Sequence, residues 1–120
     1  MKTILWNFSL SLALLTPQIQ ATTSIPQLVE EITPSVIEWR RDIHQNPELS
    51  NREYRTSRVV AEHLRSLGLE VKTNIAKTGV VGILRGSTDG PVIALRADMD
   101  ALSVTEKTGL PFASTVRGEY

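Results

Sequence analysis

Apolar residues recur at helical spacing through the first half of the chain, then give way to shorter, strand-like runs. Leu28, Val29 and Ile32 suggest a short helical segment. Ile32, Val36, Trp39 and Ile43 then form one apolar stripe, with Arg40, Arg41 and Asp42 mainly off it. Thr33 suits an N-cap and Pro34 the first helical position, so the pattern predicts a main helix starting there, with Ile32 and Ile37 as a hydrophobic staple. Pro47 ends it, because Asn46 before a proline is pushed out of helical geometry. Ser50-Asn-Arg-Glu53 reads as a capping box, with Leu49 and Tyr54 available as its staple. The helix behind it runs to about Leu67, buries Val60, Ala61, Leu64 and Leu67, and stops at Gly68. Arg55, Arg58, Glu62 and Arg65 make its solvated face.

From Leu69 to Thr73 apolar and polar residues alternate, the signature of a half-buried strand. Thr78 to Arg85 predicts a second strand, in which Gly82 marks a bend or a close backbone approach. Pro91-Val-Ile-Ala-Leu-Arg-Ala-Asp98 is a short apolar run bounded by a Gly-Pro turn, and it reads as a third strand buried on both faces. Gly86-Ser-Thr-Asp-Gly90 is turn chemistry, so 78–85 and 91–98 are expected to pair as an antiparallel hairpin. Beyond Asp100 the pattern weakens into a loop at 102–108 and an extended stretch at 109–113. The expected fold class is α/β: two main helices followed by three strands including a hairpin. A sheet whose most buried strand comes last lacks neighbours to cover it, so the chain reads as a piece of a larger domain.

Composition narrows the function classes. The 120 residues suit one domain or part of one. Thirteen basic residues balance 13 acidic ones with no long run of either sign, which argues against nucleic acid or an anionic membrane as the main partner. The absence of cysteine excludes disulfides, thiolate metal sites and cysteine nucleophiles within the chain. With His44 and His63 as the two histidines, a His-based metal site could not be completed here without heavy help from carboxylates. Lys2, the mostly apolar run from Ile4 to Leu15 and the small residue Ala21 have the pattern of a secretory signal peptide. That run is too short to span a membrane. The expected organisation is therefore a leader over 1–21 and an incomplete domain over 22–120, exported to the periplasm or secreted.

The candidate chemistry lies at the end of the third predicted strand. In extended backbone Asp98 and Asp100 point to one face and Met99 to the other. Two acids placed together there repel unless a cation or a donor compensates them. Strand ends of open α/β sheets are also where ligands usually bind. The plain alternative is a solvated strand terminus carrying two aspartates, since Asp is a common turn former.

Arg40-Arg-Asp-Ile-His44, Asn46-Pro-Glu-Leu-Ser50, Glu53 with Thr56, Thr78-Gly-Val80 and Ala94-Leu-Arg-Ala-Asp-Met-Asp-Ala-Leu102 occur in order at fitting intervals, and Gly109-Leu-Pro-Phe-Ala-Ser114 continues the series. This set resembles the M20 metallopeptidase family, specifically its amidohydrolase branch of N-acyl-amino-acid amidohydrolases, hippurate hydrolases and auxin-conjugate hydrolases. The resemblance covers about Glu38 to Ser114. It implies the N-terminal portion of a zinc-peptidase-like catalytic domain, two divalent metals (zinc, manganese or cobalt), an inserted domain used in dimerisation, and hydrolysis of an N-acyl amino acid or similar peptide-like substrate. It also implies that Asp100 matches the acid that orients a metal ligand, a role of the kind that fixes ligand geometry, and that Asp98 occupies the metal-ligand position with a carboxylate in place of imidazole. Ser103 departs from the proline usual in relatives.

The Cys/His motif, the paired glutamates with the general base, and the remaining histidines of the family have no counterpart in this chain. It is therefore expected to be inactive alone and to bind no metal stably. The competing class is a non-catalytic α/β module that binds a partner through the edge beside 91–98. His44 reads as a structural histidine near a helix C-terminus, His63 as a surface residue, and Glu48 and Glu53 as structural. Arg96 is expected to neutralise nearby acids, Glu106 included.

Overall fold

The computed structural model describes residues 23–118, so the expected leader over 1–21 lies outside the described residues. Helix α1, Ile25–Gln45, is a single helix and not the short segment plus later start that Thr33-Pro34 suggests. Its N-cap is Ser24, whose amide and hydroxyl both donate to Gln27 Oε1 at 2.9 Å. That pairing, with Pro26 in the first turn, starts the helix nine residues earlier than the Thr33 signal. Pro34 thus lies inside the helix, where the missing amide typically costs about 3 kcal/mol. Thr33 does not cap; its hydroxyl donates to the Val29 carbonyl at 2.6 Å. Asn46 ends α1 before Pro47, as expected, with its amide on the carbonyls of Asp42 and Ile43.

Helix α2, Tyr54–Ser66, ends as the sequence predicts: Gly68 has φ +80, and its amide and that of Leu69 reach back to Arg65 and Leu64. Strand β1, Glu70–Ile75, and strand β2, Gly79–Ile83, pair antiparallel with Glu70 opposite Ile83 and Lys72 opposite Val81. The register shifts between Lys72 and Ile75, and Ala76 and Lys77 turn the chain with positive φ. Gly79 is required here, because a Cβ would stand 2.5 Å from the Ile75 carbonyl oxygen. At Gly82 the close-approach reading holds: a Cβ would meet Leu64 Cδ1 at 3.1 Å and Leu69 Cδ2 at 3.2 Å.

Helix α2 packs across this hairpin. The buried positions of the helix are Thr56, Ser57 and Ala61, while Leu67 is exposed and Val60 and Leu64 are only half-buried. The apolar stripe of α1 is likewise open to solvent at Ile32 and Val36. Trp39 finds a partner in His63, with ring centroids 4.4 Å apart and the planes tilted by 56°, so His63 is a half-buried ring partner and not the surface residue expected.

The third strand is the largest correction. Residues 91–98 form no strand among the described residues, and the hairpin that exists is β1–β2, not 78–85 with 91–98. Val92, Ile93 and Leu95 are 95%, 85% and 97% exposed. The physical reason lies in what a strand is. Its backbone donors and acceptors are satisfied only by a neighbour, and an apolar run with two faces to bury needs cover on both.

Candidate functional site

The segment carrying the acidic pair forms no helix or strand and is fixed at one end. The Ala101 amide donates to the Glu48 carbonyl at 2.8 Å, and Leu49 and Ala101 form an isolated parallel bridge. Asp100 therefore precedes a point anchored to the α1–α2 connection. Asp98 and Asp100 are exposed and Met99 is half-buried. Arg96 donates to Asp98 Oδ1 through Nε at 3.2 Å and Nη2 at 2.9 Å, with both side chains largely in solvent. A neighbouring cation is what the acid pair requires, and here Arg96 supplies it to Asp98. Arg96 does not reach Glu106 in this arrangement. Glu106 instead meets His44.

The connection that anchors Ala101 is itself built around Glu48. Its Oε1 accepts the Arg55 amide at 2.9 Å and its Oε2 the Thr56 amide at 2.7 Å. These are donors that the first turn of α2 leaves unpaired. Ser50 and Glu53 accordingly form no capping box. Glu53 is the N-cap residue, but it makes no side-chain cap bond and its Oε2 accepts the buried Thr78 hydroxyl at 2.6 Å. Tyr54 is 69% exposed and staples nothing. Partial burial pushes the Glu48 carboxyl up, but the Thr56 and Arg55 amides and the Arg55 charge outweigh it and hold the group below its ordinary value. The Thr78 hydroxyl does the same for Glu53, helped by backbone amides. Arg55 Nη2 spans both oxygens of Asp42, at 2.7 and 2.8 Å, and so ties α1 to α2.

No group of three or more His, Cys, Asp or Glu side chains converges among the described residues. Asp98 and Asp100 make at most two carboxylate donors, and Asp98 is already engaged by Arg96. The described residues do not by themselves fit a metal centre. No helix among them is long and apolar enough to cross a membrane.

No protein-family model matches the sequence. Known proteins do. The chain is 55% identical over 91 residues to thermostable carboxypeptidase 1 of Saccharolobus solfataricus, covering 75% of this chain and 23% of that protein. It is 44% identical over 90 residues to an N-acyl-L-amino acid amidohydrolase of Geobacillus stearothermophilus, covering 75% of this chain and 24% of that one. A Bacillus subtilis crystal structure, described as a dinuclear metal-binding peptidase of the M20 family, superposes with a TM-score of 0.69 at 43% identity, over 74% of this chain and 25% of that one. The fold is thus α/β and shared with a metal-binding peptidase. The chain belongs to the M20 family, with amidohydrolases among its relatives, and spans about a quarter of the length of the proteins it matches.

Proposed function

We propose that this chain forms the first part of the catalytic domain of a metal-dependent amidohydrolase that cleaves N-acyl amino acids. One observation carries the reading: the likeness to a dinuclear metal-binding peptidase at 43% identity and a TM-score of 0.69. In it Asp100 orients a metal ligand and Asp98 stands at a ligand position. The metal would be zinc, manganese or cobalt, supplying Lewis acidity toward the amide when bound. What this chain's own residues do is positional. Glu48 pins Ala101 through its carbonyl and α2 through its carboxylate, so the two aspartates emerge from a fixed point. The parent enzyme would act as a homodimer. Export with loss of residues 1–21 belongs to the same proposal, and an intact mass of the exported product beginning at Thr22 checks it.

The test is a chimera. In the Geobacillus amidohydrolase the matching residues are replaced by those of this chain, and the product is assayed on N-acetyl amino acids with zinc, manganese or cobalt. The chimera is expected to turn over and the 120-residue chain alone to remain at background. A soluble, folded but inactive chimera would overturn the proposal. The exposure of Val92, Ile93 and Leu95 favours a second reading, a module that binds a partner strand along 91–95. An inactive chimera together with a monodisperse, cooperatively unfolding chain would favour that reading instead.

A further inference from the structure

Residues 101–118 contain no helix or strand, yet they are tied to the C-terminal end of α1 at several points. The amide and hydroxyl of Thr115 both donate to the Gln45 carbonyl, at 3.0 and 2.8 Å. Phe112 lies edge-on to His44 at 5.9 Å, beneath the guanidinium groups of Arg40 and Arg41 at 5.8 and 4.9 Å. At the centre is Glu106, whose side chain is only 13% exposed. One of its oxygens accepts the Ser114 amide at 2.6 Å and faces His44 Nε2 at 2.9 Å; the other accepts the Thr108 hydroxyl. The same carboxylate thus closes the loop 106–114 on itself and joins it to a helix 62 residues earlier in the chain.

We infer that His44 and Glu106 form an acid-released clasp that seats residues 101–118 on the end of α1. An ionised Glu106 accepts from three donors at once; a protonated one must give up an acceptor position. The titratable and charged groups on the α1 side are His44, which favours the carboxylate, and, across Phe112, Arg40 and Arg41. Asp42 is engaged by Arg55. On the segment side Lys107 is the neighbouring charge in sequence. The Ser114 amide, then the Thr108 hydroxyl and His44, hold the Glu106 carboxyl below its ordinary value of 4.5 despite some desolvation. The sign follows. The clasp contributes fully above pH 4.5 and is lost as pH falls through the lower folded value.

The experiment is an amide NMR titration of the full 120-residue chain. In the unaltered protein the Ser114 amide proton is expected to titrate with a midpoint below 4.5, and Thr115 to follow it. In Glu106→Gln that transition should vanish, while the Ser57 and Val81 amides keep their positions. His44→Phe removes the link to α1 but not the loop, so Thr115 should shift while Ser114 still titrates. An unchanged Ser114 titration in Glu106→Gln would overturn the clasp. So would a Glu106→Gln variant whose amides all collapse together, since the carboxylate would then be holding the whole fold and not this segment.

Discussion

Asp100→Asn in the active chimera should lower turnover roughly 10- to 100-fold and lower bound metal by a comparable factor, the usual cost of removing a partner that orients a metal ligand. Asparagine keeps the size and one acceptor oxygen of Asp100 but loses the charge. Its backbone neighbour, the Ala101 amide on Glu48, should be undisturbed. The loss is therefore expected without unfolding. Metal content by elemental analysis, read beside kcat and KM, distinguishes a loosened metal from a misfolded strand end. Full activity and full metal in Asp100→Asn would remove Asp100 from the site.

Glu48→Ala should free the start of α2. The carboxylate accepts two first-turn amides, and hydrogen bonds to a charged group contribute about 1.5–3 kcal/mol each when well buried. Glu48 is half-buried, so a combined loss of about 2 kcal/mol is the reasonable scale after solvent screening. At 1.4 kcal/mol per factor of ten, amide exchange at Arg55 and Thr56 should accelerate roughly 10- to 50-fold. The hairpin amide of Val81 serves as the internal control. Because the Glu48 carboxyl is held below 4.5, its contribution is present above that pH and lost as pH falls through the lower folded value. Glu48→Gln should show a smaller acceleration and no such acid dependence. Unchanged exchange at Arg55 and Thr56 in Glu48→Ala would mean that water satisfies the turn equally well.

Much of this could be read from local rules. Gly68 as a stop, Pro47 as the end of α1, the alternation of 69–73 and the strand after Thr78 all depend on the φ, ψ and periodicity of neighbouring residues, and the structure keeps them. The ordered residues from Arg40 to Ser114 carried the family likeness as well, because ordered identities do not depend on folding. Local rules failed where two of them competed. Thr33-Pro34 and Ser24-Gln27 are both sound helix starts, and a Ser50 box and a Glu48 cap both satisfy the turn before Arg55.

By itself, then, the sequence determined helix α2, the existence of the two strands that follow it, and the family; the pairing of those strands with each other it did not. Only the tertiary structure decided the rest. It gave Glu48 to α2, Glu53 to Thr78, Glu106 to His44 and Trp39 to His63, pairs separated by 7 to 62 residues. It also left 91–98 unpaired. The reason is common to all of these: a turn or a helix end is settled by backbone geometry within a few residues. A side-chain partner or a strand neighbour depends on which distant groups the fold brings within about 3 Å, and no spacing along the chain encodes that distance.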